Sequence, residues 1–254
     1  MDLNLANKTV LVTGGSMGMG AAFVEAFAKE GCNVAVNYIV QPQQAKEFAQ
    51  RIRETYHVGA AAVYADVTDE LQVRDMIEKI AAEFGHLDVL VNNAGIWPTT
   101  PFLDISLLEW RKVIDVNLNG AFICSQAACR QMIKQGHGGH IVNINSKSGI
   151  SVTSGGHAHY VSSKGGVTLL TKATAREVSG EGIIVNCVVP GMVATPMNEA
   201  ERNDPKMLEY YLNRLPLKKF SDPEDIANMV VFLASDRAYH TAGAIVDVTG
   251  GLLL

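Results

Sequence analysis

Seven short β-branched and apolar runs alternate with about six helical patterns along this chain, and that alternation constrains the fold most. Lys8–Thr13, Asn33–Tyr38, Ala60–Ala65, Leu87–Val91, His140–Ile144, Ile183–Val189 and Ala244–Val248 read as strands. Helical patterns follow the glycines at 14–20 up to Gly31, then run from Gln43 to Tyr56, Glu70 to Phe84, Ser106 to about Met132, Ala158 to Val178, and Ser221 to about Ala234. The long pattern from Ser106 is interrupted near Asn117–Gly120. Ser106/Glu109 and Ser221/Glu224 have the spacing of capping boxes. Strand–helix–strand succession implies right-handed crossovers and a parallel sheet covered on both faces. The expected fold is α/β: one doubly wound domain over residues 1–254, with a seven-stranded parallel sheet. No linker or low-complexity tract divides it. In such sheets ligands bind beyond the carboxyl ends of the strands.

Composition narrows the function classes. The chain has 254 residues, 48% of them hydrophobic, which supports a large core. Its net charge of −5 gives no basic surplus for nucleic acid or an anionic membrane. No apolar run approaches a membrane span. Met1–Leu5 has neither a basic region nor an apolar core, so no secretory signal is expected. Cys32, Cys124, Cys129 and Cys187 lack paired spacing and read as reduced, structural thiols, in keeping with the cytoplasm. The dispersed histidines form no zinc pattern, so no metal is expected.

The first strand runs into Thr13-Gly14-x-x-x-Gly18-x-Gly20, which opens the first helix. Glycines let a backbone approach a bound group, and a helix N-terminus offers free N–H groups to a pyrophosphate. A purely topological turn is the alternative. A carboxylate at the end of strand two would bind a ribose 2′-hydroxyl and repel a 2′-phosphate. Asn37-Tyr38-Ile39-Val40 supplies none, and no arginine either, so NADP or dual use with NAD is expected over NAD alone. Asn37 and Tyr38 could also simply end a strand in contact with water, and Lys46 could reach a phosphate or be solvated.

Tyr160 and Lys164 are four residues apart near a helix start, on one face. An adjacent ammonium favours a phenolate. Bringing a phenol from ~10 towards neutrality takes about 4 kcal/mol of differential stabilisation. A tyrosine so tuned exchanges a proton with an alcohol oxygen. Alone, the pair occurs often by chance.

Together these motifs resemble the short-chain dehydrogenase/reductase family, from Lys8 to Gly251. The remaining matches are Asp66 after strand three, Asn92-Asn93-Ala94-Gly95 after strand four, Asn117 in the long helix, Ser146 after strand five, and Pro190-Gly191-x-x-x-Thr195 after strand six. The resemblance implies a Rossmann-type oxidoreductase that transfers a hydride between a nicotinamide and a CH–OH or carbonyl carbon. It implies Asn117, Ser146, Tyr160 and Lys164 as catalytic residues. Tyr160 would exchange the proton, and Ser146 would orient the substrate oxygen. Lys164 would bind the nicotinamide ribose and lower the Tyr160 pKa, and Asn117 would hold a water leading from Lys164 to solvent. The implied cofactor set is Gly14, Ser16, Met17, Gly18, Met19, Tyr38, Asp66, Val67, Asn93, Ala94, Gly95, Tyr160, Lys164, Pro190, Gly191, Val193 and Thr195. Within it Asp66 would accept from the adenine amino group, or cap helix three. Ser146 and Ser148 flank the family's usual separation from the tyrosine, and alignment on Gly149 favours Ser146.

Trp97, Ser148, His157, Met192 and Met197 are the substrate candidates, with residues 192–215 as the variable substrate loop. His157 and His159 each have a solvated-loop alternative. The Ser/Thr/Gly/His-rich stretch before Tyr160 suits a small polar substrate: a sugar, polyol or hydroxy-ketone. The alternative is a 3-oxoacyl thioester reductase of fatty-acid synthesis. Its carrier-binding basic residues would fall where this chain has His137 and Glu181, which weakens that reading. A silent dinucleotide-binding scaffold is the third possibility. A homotetramer or homodimer is expected, joined along the two long helices, with the apolar Leu252–Leu254 tail buried against a neighbour.

Overall fold

The computed structural model describes residues 1–152, 155–195 and 198–254, with every side chain among them except that of Glu201. Its strands are β1 (Thr9–Val12), β2 (Asn33–Tyr38), β3 (Ala60–Tyr64), β4 (Val89–Asn92), β5 (Gly139–Ile144), β6 (Ile183–Pro190) and β7 (Ile245–Val248). They form one sheet in the order β3-β2-β1-β4-β5-β6-β7, and every neighbouring pair is parallel. The helices among the described residues are α1 (Gly18–Lys29), α2 (Pro42–Tyr56), α3 (Glu70–Phe84), α4 (Leu107–Ile114), α5 (Gly120–Gln135), α6 (Ala158–Val178), α7 (Glu199–Asn203), α8 (Pro205–Arg214) and α9 (Pro223–Leu233). The interruption expected near Asn117 is a π-helical turn, Asp115–Asn119, joining α4 to α5. None of these helices is long and apolar enough to cross a membrane.

The strands read as continuous apolar runs because both faces are covered. Alternate side chains point to opposite layers. Val10, Val12, Val34, Val36, Val89 and Val91 meet Phe23, Phe27, Phe48 and Ile226 of α1, α2 and α9. Leu11, Ala35, Leu90 and Ile141 face Val73, Met76, Ile80, Cys124 and Met132 of α3 and α5. All four cysteines are free and buried. Burial raises the thiols of Cys32 and Cys124 to about 12, as expected for packing residues.

Two helix starts differ from the sequence reading. At α4, Ser106 Oγ accepts from the Glu109 amide at 3.1 Å. The Glu109 carboxylate does not reach back, however; it accepts from Thr100 Oγ1 at 2.7 Å instead. At α9 the box is one residue later than expected. Asp222 is the cap, and Asp225 accepts from the Asp222 amide at 2.8 Å. The cause is Pro223, whose fixed φ and missing N–H belong at the first helical position. Ser221 instead forms a parallel bridge to Val193.

β1 pairs with β2 on one side and β4 on the other. The chain therefore winds outward from β1 in both directions, opening a crevice beyond the carboxyl ends of β1 and β4. The glycine loop and Asn92-Asn93-Ala94-Gly95 both sit there.

Candidate active site

The glycine loop is held from three sides. Gly14 takes φ +59° and Gly18 φ +55°, conformations that favour glycine. A Cβ on Gly20 would lie 2.2 Å from Gly14 O and 2.8 Å from Asn93 Nδ2, so helix and loop touch by backbone. Asn93 Nδ2 donates to Thr13 O (3.0 Å) and Gly14 O (3.1 Å), and Thr13 Oγ1 accepts from the Asn93 and Ala94 amides. Asn37 is the third anchor, buried rather than wetted. Its Oδ1 accepts from the Gly14 amide at 3.1 Å, and its Nδ2 donates to Ala65 O at 3.0 Å. Behind the loop, α1 starts with no side-chain cap at Met17 and no acidic residue in its first turn. Such a terminus fits a pyrophosphate.

The remaining nucleotide candidates sit at the carboxyl ends of β2 and β3 and in the glycine loop. Tyr38 is buried with its ring edge-on to Tyr64, 5.8 Å between centroids. No carboxylate follows it in Ile39-Val40, both of which are exposed. Asp66 does not cap α3; Asp69 does. Asp66 Oδ1 instead accepts from the Thr68 amide (2.9 Å) and hydroxyl (2.7 Å), which fixes the carboxylate at the end of β3. Val67 packs against Gly120, where a Cβ would come within 2.8 Å. Exposed Met17 and half-buried Ser16 remain at the loop tip, whereas the Met19 side chain turns into the core and leaves only its backbone facing the crevice.

Beyond β5 the catalytic candidates converge. The Ser146 side chain neighbours the Tyr160 hydroxyl and favours its ionised form. Ser146 Oγ also accepts from the Ser148 amide at 3.1 Å, so Ser148 supports Ser146 with its backbone. Lys164 Nζ donates to Ile144 O at 2.8 Å and lies 5.9 Å from the Tyr160 ring centroid. Burial draws Lys164 down to about 8. In Tyr160, burial of the phenol raises its pKa, and the neighbouring Ser146 hydroxyl only partly opposes this. The expected lowering by Lys164 does not appear in the free protein, where burial of the phenol dominates. Asn117 sits in the π turn with both polar atoms engaged. Oδ1 accepts from the Ile96 amide (2.8 Å), and Nδ2 donates to Ile96 O (2.9 Å) and Ser163 Oγ (3.1 Å). Lys164, Asn117, Thr13 and Asn92 line a small cavity of about 10 Å³, close to the minimum for one water. Asn92 itself bonds Ser125 and Asn143, both at 2.8 Å, a structural role across the sheet.

After β6, Pro190 ends the strand. Gly191 packs so tightly that a Cβ would meet Thr249 O at 2.6 Å. Asn198, which the sequence gave no reason to select, organises the next turn. It donates to Val193 O at 2.8 Å and accepts from the Thr195 amide at 3.2 Å and from Arg202 Nε at 3.1 Å. Met192 is half-buried beside it, with its carbonyl bound to the Ser221 amide at 2.9 Å. Met197 lies outside the described residues.

One wall of the site is aromatic. Trp97 stacks on His157 with centroids 4.9 Å apart, and its ring is 6.4 Å from that of Tyr160. His157 Nδ1 bonds Pro98 O at 3.0 Å. His159 is fully buried and turns towards α4, so it faces neither solvent nor substrate. His137 and Glu181 belong to the turns entering β5 and β6, at the opposite end of the sheet from Tyr160. No cluster of metal-ligating side chains forms among the described residues.

The comparisons agree with this geometry. The family described as enoyl-(acyl carrier protein) reductase matches residues 14–253. The 3-oxoacyl-(acyl-carrier-protein) reductase of Staphylococcus aureus (strain N315) is 42% identical over 97% of this chain and 98% of its own. The L-rhamnose 1-dehydrogenase (NAD(P)(+)) of Sphingomonas sp. (strain SKA58) is 41% identical over 98% and 97%. A gluconate 5-dehydrogenase from Burkholderia cenocepacia J2315, solved with NADP and tartrate, superposes with a TM-score of 0.93. It has 30% identity and covers 99% of this chain and 97% of that one.

Proposed function

The chain belongs to the short-chain dehydrogenase/reductase family, and we propose from that premise that it interconverts a small polar alcohol and its carbonyl compound with NADP or NAD. The observation that carries this reading is the convergence of Ser146, Tyr160 and buried Lys164, whose Nζ lies 5.9 Å from the Tyr160 ring centroid, beyond the strands that also carry a loop shaped for a dinucleotide.

The nicotinamide supplies or accepts the hydride when bound. The chain's own residues do the rest. Gly14, Ser16, Met17, Gly18 and Met19 receive the pyrophosphate at the α1 N-terminus, largely through backbone. Asp66 and Val67 meet the adenine, and Tyr38 the adenosine ribose. Asn93, Ala94, Gly95, Pro190, Gly191, Val193 and Thr195 hold the nicotinamide half. Lys164 takes the ribose hydroxyls and, through the small cavity beside Asn117, a water. Ser146 Oγ donates to the substrate oxygen and stabilises its charge as the C–H bond forms or breaks. Tyr160 moves the proton. With its pKa raised, the phenol is protonated at neutral pH and ready to donate to a carbonyl oxygen. Oxidation needs the reverse, and a positively charged ring beside the hydroxyl would favour the phenolate.

A sugar, polyol or hydroxy-ketone fits the wall best. The Trp97–His157 stack offers a flat face to C–H groups beside hydrogen-bonding Ser146, and the sugar dehydrogenases among the relatives support this. The reductase of Staphylococcus aureus supports 3-oxoacyl thioester reduction as a second reading. Residues 1–254 would act as one domain in the cytoplasm. Exposed Leu103, Leu108 and Leu169, with the Leu252–Leu254 tail, support a homotetramer or homodimer.

A turnover screen tests both readings, with sugars, polyols, hydroxy acids and a 3-oxoacyl thioester, each with NAD and NADP. Thioester reduction outrunning every polyol and sugar would replace the preferred substrate class. Tyr160→Phe should cut turnover at least ~100-fold while nucleotide affinity changes under about threefold. Unchanged turnover would remove the proton-transfer role. No turnover on any substrate, with tight nucleotide binding, would favour the scaffold.

A further inference from the structure

α6 opens without an ordinary cap. Its boundary residue, His157, makes no side-chain capping bond, and first-turn amides have no intrahelical acceptor. The Tyr160 amide is satisfied by the side chain of its neighbour, donating to His159 Nδ1 at 2.8 Å. That bond needs an unprotonated Nδ1, which puts the ring hydrogen on Nε2. Nε2–H donates to Glu109 Oε1 at 3.2 Å. The same oxygen accepts from Thr100 Oγ1 at 2.7 Å. The Thr100 hydrogen bond is the main reason the Glu109 carboxyl lies below its usual range, with His159 adding to it. Glu109 thus stays an acceptor, and the chain of bonds keeps its direction.

The bonds lead to the aromatic wall. Thr100 N–H donates to Gly156 O at 2.9 Å, closing the strap 96–100 onto the segment before α6. At the strap's other end, Asn117 grips both backbone groups of Ile96 and also bonds Ser163 of α6. Trp97 stands between these anchors. These ties lead to α6, the helix that carries Tyr160 and Lys164, or to the segment just before it.

We propose that His159 is a positioning residue with two separable tasks. Through Nδ1 it fixes the first turn of α6, and with it the Tyr160 side chain. Through Nε2, Glu109 and Thr100 it fixes the strap, and with it the distance from Trp97 to the Tyr160 hydroxyl. It touches neither substrate nor cofactor. Its effect on turnover rests on the proposed oxidoreductase activity; its effect on local order does not.

Amide hydrogen exchange of the full-length protein, read by mass spectrometry, tests the two tasks without a substrate. His159→Asn keeps an oxygen near the Nδ1 position and loses the reach to Glu109. His159→Gln keeps the reach and loses the cap. In the Asn variant, exchange over 96–101 should rise about fivefold, the loss of one net hydrogen bond, while 157–163 stays within about twofold. The Gln variant should show the opposite pattern. Glu109→Ala should free 96–101 alone, and it reads the strap task even if a histidine variant fails to fold. Turnover on the best substrate of the screen should split likewise: KM rises in the Asn variant, and kcat falls in the Gln variant. A purely structural histidine would lower global stability without that split. Equal loosening of both segments in both variants, or of neither, would overturn the proposal. Separate loosening with no turnover on any substrate would overturn the oxidoreductase reading alone.

Discussion

Lys164 is the buried charge whose titration should be visible in the stability of the whole protein. Its ammonium is enclosed, held by one carbonyl at 2.8 Å, and drawn from 10.5 to about 8 by burial, with attraction to Cys187 opposing. A base depressed in this way gives up its proton in the fold before it would in the unfolded chain. Between the two values the unfolded chain binds more protons, so stability rises with pH. Below about pH 8 the fold carries the full cost of a buried ammonium; above 10.5 it carries none. That gap is worth about 3 kcal/mol. Lys164→Met keeps the volume and removes the titration. It also leaves Ile144 O unpaired, but this cost does not change with pH and drops out of the slope. Urea unfolding of both proteins, read by tryptophan fluorescence at constant ionic strength without nucleotide, gives the wild-type-minus-variant free energy at each pH. It should climb by about 3 kcal/mol from pH 7.5 to 10.5. The subtraction removes the other titrating groups, except that Cys187, raised to about 11 by burial, interacts with Lys164 at the top of the window. A flat difference would mean that bulk solvent reaches the amine and that burial does not depress it. A falling one would reverse the sign of the argument.

Gly20→Ala should remove at least about tenfold in nucleotide affinity and 1–3 kcal/mol of stability by overpacking, because its Cβ would press on the Gly14 carbonyl and on Asn93 Nδ2. Helix propensity alone predicts a gain of about 1 kcal/mol, so isothermal titration and thermal melting of this one variant separate the two effects. Asn198→Ala should raise proteolytic cleavage within 193–202 about tenfold while global stability falls by less than about 2 kcal/mol. An unchanged digestion pattern would show that the turn does not depend on Asn198.

Much of the fold was legible because its signals are local. α3 and α6 have the bounds the periodicity indicates, and the seven strands lie within a residue or two of the apolar runs. Gly85, at φ +87°, ends α3 as the sequence suggests. Local signals misled where two of them competed. Ser221 with Glu224 and Asp222 with Asp225 both have box spacing, and only the demand of Pro223 for the first helical position decides between them. Glu109 has the right type and position to reciprocate Ser106, but a stronger acceptor role towards Thr100 and a buried histidine claims it.

The harder part of the site depends on depth and on distant neighbours, neither of which a motif carries. Tyr160-x-x-x-Lys164 places a phenol and an ammonium on one helix face, and from that alone the ammonium should stabilise the phenolate. The fold instead buries the Lys164 ammonium, leaves Tyr160 only partly exposed and points Nζ at the Ile144 carbonyl, so each is shifted towards its neutral form. The pair is therefore set in the direction opposite to the motif's simplest electrostatics. Without a bound cofactor the raised pKa favours the protonated phenol, and a positive charge brought to the pocket would favour the phenolate. In consequence, binding of the oxidised nucleotide, whose nicotinamide ring carries a positive charge, and proton loss from Tyr160 should be thermodynamically coupled: each lowers the cost of the other, while the reduced ring lacks that charge. The same residues then favour donation to a carbonyl with one cofactor form and acceptance from an alcohol with the other, without any change in backbone geometry.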